Sequence, residues 1–142
     1  MDDSQYNIEN RNEGNFFFVE EGAKNFNDLI VWQKAHFLVL EIYKHTKNFP
    51  KEELYGLTSQ FRRAAVSVPA NIAEGFKRTG KADKLRFYNI AHASLTEVKY
   101  FILLSKDLKY CESTSLDNLS EEISKILEVY INKIRNSNQS KF

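Results

Sequence analysis

Residues 57–78 read Leu57-Thr58-Ser59-Gln60-Phe61-Arg62-Arg63-Ala64-Ala65-Val66-Ser67-Val68-Pro69-Ala70-Asn71-Ile72-Ala73-Glu74-Gly75-Phe76-Lys77-Arg78. Two lines run through this stretch at helical spacing. Leu57, Phe61, Ala64, Val68, Ile72 and Phe76 recur every three or four residues as an apolar stripe. Gln60, Arg63, Ser67, Asn71, Glu74 and Arg78 recur at spacings of 3, 4, 4, 3 and 4 as a polar one. Residues three and four apart share one face of an α-helix, so the pattern predicts an amphipathic helix from Gly56 to about Arg78. Pro69 lies inside it. A mid-helix proline removes the hydrogen bond to the carbonyl four residues back, here Ala65, at a cost of about 3 kcal/mol, and a kink is expected.

The same period extends in both directions. A first helix is expected from about Asp28 to Lys47, capped by Asn27 or Asp28. Its inward line is Leu29, Trp32, His36, Val39 and Tyr43, broadened by Val31, Ala35, Leu38 and Ile42. Asn48-Phe49-Pro50 ends it, because the residue before proline disfavours the helical region. A third helix, from about Lys81 to Leu108, places Tyr88, Ala91, Leu95, Val98, Ile102 and Ser105 inward. A fourth, from a Ser115 cap to about Asn136, does so with Leu116, Leu119, Ile123, Ile126, Tyr130 and Ile134. Five glycines and two prolines in 142 residues are too few for the turns of a sandwich or barrel. The expected fold is all-α: an antiparallel up-down-up-down four-helix bundle over residues 27–136 with a proline-kinked second helix. An acidic tail precedes it at 1–26 and a short C-terminal tail follows at 137–142.

Several chemistries are disfavoured. No apolar run approaches the roughly 18 residues of a membrane span, and the start MDDSQYNIEN is acidic where a secretory signal is basic and then apolar, so a cytoplasmic location away from membranes is expected. The single Cys111 forms no internal disulfide, and no Cys/His spacing suits zinc; neither a metal nor another cofactor is expected. His36, His45 and His92 match no metal-binding pattern, and His36 is expected to be buried and hydrogen-bonded. No nucleophile elbow of the G-x-S-x-G type occurs, so no catalytic residues are assigned and an enzyme is not expected. Gly75 to Ala82 nearly spells the phosphate-binding loop G-x-x-x-x-G-K-[ST]. It fails as one: Ala82 stands where the magnesium-holding hydroxyl belongs, and a helix precedes it in place of a strand. What survives is a basic turn opening a helix, a favourable setting for a phosphate.

The net charge of +1 conceals a split. Residues 1–26 carry Asp2, Asp3, Glu9, Glu13, Glu20 and Glu21 against Arg11 and Lys24, a net of −4, which leaves +5 for the remainder. Residues 61–86 hold that whole excess: Arg62, Arg63, Lys77, Arg78, Lys81, Lys84 and Arg86 against Glu74 and Asp83. Potential near a surface depends on charges within about 8–10 Å, so a local patch outweighs the chain total. These seven cations are the candidate phosphate contacts for RNA or DNA; the alternative is an ordinary solvated surface. The polar line Gln60, Ser67, Asn71 and Glu74 has two readings as well. It either repairs the bond lost at Pro69, with Glu74 paired to Arg78 or Arg63, or forms a seam at a subunit interface or ligand surface. In the tail, Phe16-Phe17-Phe18-Val19 would prefer to dock on the domain or on a neighbouring copy.

Several of these residues also form a recognisable pattern. Phe26-x-Asp28-Leu29-x-Val31-Trp32-Gln33-x-Ala35, Phe49-Pro50-x-x-Glu53-x-Tyr55-Gly56-Leu57-Thr58-x-Gln60, and Arg62-Arg63-Ala64-Ala65-x-Ser67-Val68-Pro69-Ala70-Asn71-Ile72-Ala73-Glu74-Gly75-x-x-Arg78 are its main segments. Together with Arg86-Phe87, Ile90-Ala91 and Ser94-Leu95-x-Glu97, the sequence resembles the bacterial four-helix-bundle proteins encoded in intervening sequences of 23S rRNA genes, often labelled S23 ribosomal protein. One departure is His92-Ala93 before Ser94, where the pattern has a glycine beside the serine. The resemblance implies a ring-shaped homo-oligomer, expected to be a pentamer. It also points to a distant structural relative, the accessory variability protein of diversity-generating retroelements, a basic ring that binds nucleic acid and a reverse transcriptase. The function so implied is non-enzymatic binding of RNA or DNA by a basic surface. The alternative is a protein-interaction scaffold or accessory subunit that recruits an enzyme partner without touching nucleic acid.

Overall fold

The computed structural model describes residues 22–137; the Phe16–Val19 run lies outside the described residues. Four helices account for most of the fold: α1 (Ile30–Thr46), α2 (Leu57–Lys77), α3 (Lys81–Asp107) and α4 (Thr114–Arg135). Single 3-10 turns at Phe26–Asp28 and Lys51–Glu53 precede α1 and α2. The described residues contain no strand, and none of their helices is long and apolar enough to cross a membrane.

Contacts across the helices fix their directions. Between α2 and α3, Phe61 meets Phe101 with ring centroids 5.8 Å apart, Ser67 meets Ser94 at 2.8 Å, and Gly75 faces Phe87 and Tyr88. Numbers fall on one helix as they rise on the other. Lys106–Asp117, Lys99–Glu121 and Tyr88–Tyr130 show the same opposed register between α3 and α4. The core between the helices is dense: Leu29, Leu38, Ile42, Phe61, Ile72, Tyr88, Leu95, Ile102, Leu116, Ile123, Leu127 and Ile134 are all at 2% exposure or less.

The inward lines expected for α2 and α3 are the observed ones, except that Phe76 is only half-buried. Two others are rotated. In α1 Leu29 and Val39 of the expected line are buried together with the broadening set Val31, Ala35, Leu38 and Ile42, while Trp32 and His36 are half-buried and Tyr43 is exposed. His36 is therefore not a core histidine; half-buried, it stacks on Trp32 with ring centroids 5.0 Å apart. In α4, Leu127 and Ile131 are buried in place of Ile126 and Tyr130, and Ser120 and Ser124 turn inward too. The Ser120 hydroxyl donates to the Asp117 carbonyl at 2.9 Å, so burial leaves it paired. The helix starts differ by a residue or so. Leu29 caps α1, because the Asp28 carboxylate accepts the backbone N–H groups of Lys24 and Asn25 and so closes the preceding 3-10 turn. Ser113, not Ser115, caps α4.

Pro69 is buried within α2, whose helical run passes through it. Asn71 Nδ2 donates to the carbonyl of Ser67 at 2.8 Å and to its hydroxyl at 2.9 Å. That amide thus serves Ser67, not the Ala65 carbonyl that Pro69 leaves without its usual donor. Near the end of α2, a Cβ on Gly75 would lie 3.2 Å from Phe87 Cβ and 3.3 Å from the Tyr88 ring. Close approach of two helices favours glycine there, since a methyl group would press the Phe87 and Tyr88 side chains back by a few tenths of an ångström. Gly75→Val is expected to cost about 1–3 kcal/mol through overpacking, seen as a lowered melting temperature, with Gly75→Ala at the small end.

Candidate functional site

The α2–α3 turn draws all four helices to one end of the bundle. α2 ends at Lys77, residues 78–80 turn, and Lys81 opens α3. Lys81 Nζ donates to the Ser137 carbonyl at 3.0 Å, which brings the C-terminus of α4 alongside. Thr46, the last residue of α1, accepts from Arg62 in the first turns of α2, so the start of α1 lies beside the other end of α2. The 3-10 turn at Phe26–Asp28 packs on α2 accordingly.

Two arginines are stacked on one ring at this end. The guanidinium carbons of Arg78 and Arg86 lie 4.6 and 4.4 Å from the centroid of the same Phe87 ring. Both approach Asp83: Arg78 Nε at 3.7 Å and Arg86 Nη2 at 3.0 Å. Arg78 also stands 3.9 Å from Glu74, the i,i+4 partner expected for that residue. The arginine side chains nevertheless keep 45% and 61% of their surface exposed, so a phosphate can reach them without displacing the core. Stacking on an aromatic face fixes a guanidinium before any ligand arrives. Lys77 is exposed and Lys81 half-buried.

Lys84 departs from the expected set. It is 6% exposed, and its ammonium donates at 2.9 Å to the carbonyls of both Gly75 and Phe76. Both lie in the last turn of α2, where Gly75 otherwise accepts only the long bond from the Arg78 backbone N–H at 3.2 Å, and Lys84 caps them from α3. Burial holds its pKa below the ordinary lysine value. Its charge is committed within the chain and is unavailable to a phosphate. Arg62 is also elsewhere: Nε donates to Thr46 Oγ1 at 2.8 Å and the guanidinium lies 4.7 Å from the Tyr43 ring. Fifteen residues of helix separate it from Lys77, about 22 Å. The seven cations therefore do not form one cluster. Four of them, Lys77, Arg78, Lys81 and Arg86, share the bundle end, and the last turn of α4 adds Lys133 and Arg135, which the sequence reading missed.

Arg63 belongs to a second feature. An open depression of about 480 Å³ runs between α2 and α3, lined by Gln60, Arg63, Ala64, Ser67, Ser94 and Glu97. The Ser67–Ser94 hydrogen bond crosses it. The polar line of α2 is thus the border facing α3, with Asn71 tied to Ser67 and Glu74 to Arg78. Ser94 and Glu97, three residues apart on α3, are its unassigned partners. At the other end of the bundle His45 Nδ1 lies 3.8 Å from Cys111 Sγ and His45 Nε2 3.8 Å from Glu41, a meeting that chain order does not reveal. Among the described residues no group of three His, Cys, Asp or Glu side chains could hold a metal ion.

The model of the family described as 23S rRNA-intervening sequence protein matches residues 27–132, which takes in α1, α2 and α3 and most of α4. No match is found among the curated proteins. Among solved structures, one similar chain is a protein of unknown function from the S23 ribosomal protein family of Bacteroides thetaiotaomicron. It is 25% identical and superposes with a TM-score of 0.67, over 72% of this chain and 96% of that one. The family match spans well over half of the sequence and coincides with the helices themselves, and the chain belongs to the 23S rRNA-intervening sequence protein family.

Proposed function

We propose that the chain is a non-enzymatic nucleic-acid-binding protein whose basic bundle end contacts the phosphates of RNA or DNA. The observation that carries this reading is the pair Arg78 and Arg86, stacked on one Phe87 ring and sharing the single carboxylate of Asp83. Phe87 preorganises both guanidinium groups, whose charge Asp83 and Glu74 offset; Lys77, Lys81, Lys133 and Arg135 make the bundle end net positive. Contacts of this kind set affinity and register but carry no base sequence, so binding is salt-dependent and weakly specific. Self-association into a ring, the assembly that the resemblance implies, multiplies the surface. Because the family name refers to 23S rRNA, structured RNA is the first ligand to test. Filter binding at two salt concentrations tests the reading: affinity falls as salt rises, and either salt-indifferent binding or no binding at low salt refutes it.

Asp83 supplies a sharper prediction. It competes with phosphate for both arginines, so Asp83→Asn is expected to tighten RNA binding by about three- to tenfold at low salt. Fluorescence anisotropy of a labelled RNA hairpin checks it.

A second reading rests on the groove. Arg63 and Glu97 give it mixed charge, which suits a polar protein surface better than a phosphate backbone, as an accessory subunit would need. Charge reversal at Lys77 and Lys81 discriminates, since it abolishes RNA binding and leaves capture of a protein partner unchanged.

A further inference from the structure

We propose that the acidic segment 1–21 of this chain docks on the basic bundle end of the same chain and there competes with polyanions. The competition rests on the nucleic-acid reading above; the docking does not. Residues 1–21 hold Asp2, Asp3, Glu9, Glu13, Glu20 and Glu21 against the lone Arg11. The described structure begins at Gly22, four residues before the 3-10 turn Phe26–Asp28 that packs on α2. The segment therefore departs from the end of the bundle where Lys77, Arg78, Lys81, Arg86, Lys133 and Arg135 gather. Glu20 and Glu21 immediately precede that point of departure.

The anions already present at this end leave it positive. Asp28 is occupied by the backbone N–H groups of Lys24 and Asn25, Asp83 is divided between two arginines and Glu74 is paired with Arg78, which leaves Lys77, Lys81, Lys133 and Arg135 in excess. The opposite end offers no such excess: Lys47, Lys51, Arg62, Lys106 and Lys109 are interspersed with Glu52, Glu53, Asp107, Glu112 and Asp117, and Lys106 is paired with Asp117. Reach is no obstacle, since 21 residues extend to about 70 Å while a pair of packed helices spans about 20 Å. Tethering at this distance gives an effective concentration of the order of millimolar, enough for weak screened ion pairs to be populated.

Two measurements on the full-length protein test the proposal. Zero-length carbodiimide coupling joins a carboxylate to a lysine amine with loss of water, and peptide mapping locates the amide. Coupling is done on a mixture of isotopically labelled and unlabelled chains. Links from acidic residues 2–21 to Lys77 or Lys81, within one isotopic form and lost near 1 M salt, are expected. Links that favour Lys47 or Lys109, links of mixed isotope, or no links overturn the docking. The second measurement compares RNA affinity of the unaltered chain with the variant Asp2→Asn, Asp3→Asn, Glu9→Gln, Glu13→Gln, Glu20→Gln, Glu21→Gln. The variant is expected to bind about tenfold more tightly at low salt, with the difference vanishing at high salt. Equal affinities overturn the competition. If neither protein binds RNA, the nucleic-acid reading falls, the competition falls with it, and the cross-links alone decide the docking.

Discussion

Lys84→Met is expected to lower the melting temperature by about 8 °C, equivalent to about 2 kcal/mol for a domain of this size. Methionine keeps the length and the apolar stem but cannot donate, so the Phe76 carbonyl loses the lysine donor and the Gly75 carbonyl keeps only the Arg78 backbone N–H at the close-packed end of α2. Leaving a buried acceptor unpaired costs about 1–3 kcal/mol, and relief of the buried ammonium returns part of it. Lys84→Gln, which keeps a donor, should fall between. The pH dependence has a definite sign. Burial depresses the Lys84 pKa in the fold, so between that depressed value and the ordinary 10.5 the unfolded chain binds more protons than the folded one. The lysine's contribution to stability is therefore gained as pH rises through this window, and is smallest below it. The gap in stability between the unaltered protein and Lys84→Met should widen in alkaline buffer, which melting curves across that window measure. A variant as stable as the parent at every pH would remove the cap from the account.

Reversing Lys77, Lys81 and Arg86 to glutamate together should weaken binding of structured RNA at least a hundredfold at about 0.1 M salt. Each neutralised phosphate contributes about 0.9 to the slope of log affinity against log salt, so loss of three contacts removes nearly three from that slope, before any repulsion by the new carboxylates. Fold stability should change little, since Lys77 and Arg86 are exposed and Lys81 gives up one bond to the Ser137 carbonyl. Arg62→Glu is the matched control. Its guanidinium serves Tyr43 and Thr46 at the far end, and RNA affinity should hold within about twofold while some stability is lost.

The second helix was legible because its apolar line is set against a polar one, and the third because one regular line runs its length; Phe61, Val68, Ile72, Leu95 and Ile102 share one buried core as their spacing requires. Four helices with short connections followed directly. The rotation of α1 and α4 was hidden because apolar residues adjoin at the inward positions, Ile126 beside Leu127 and Tyr130 beside Ile131 in α4. Trp32, His36 and Tyr43 compete with Val31, Ala35 and Ile42 for the core, and only the neighbouring helices decide between them. At the site, the excess of cations near the α2–α3 turn was plain, but their sorting was not. Arg62 and Arg63 adjoin in sequence yet diverge by about 100° around the helix, one toward α1 and one toward α3. Lys81 and Lys84 lie one turn apart, and Lys84 turns inward because the Gly75 and Phe76 carbonyls wait across the turn. Lys133 and Arg135 join through closure of the bundle, some fifty residues along the chain. The glycine at 75 was the one local sign of how closely α2 and α3 meet there.

The most direct test of the basic bundle end is a map of backbone amide shifts in the full-length protein as a structured RNA is titrated in at low salt. Perturbed amides are expected to cluster at residues 77–86 and 133–137, while Thr46, Arg62 and Lys109 at the opposite end stay fixed. Perturbations centred on Gln60, Ser67, Ser94 and Glu97, or at the opposite end, would contradict it, as would an unchanged spectrum.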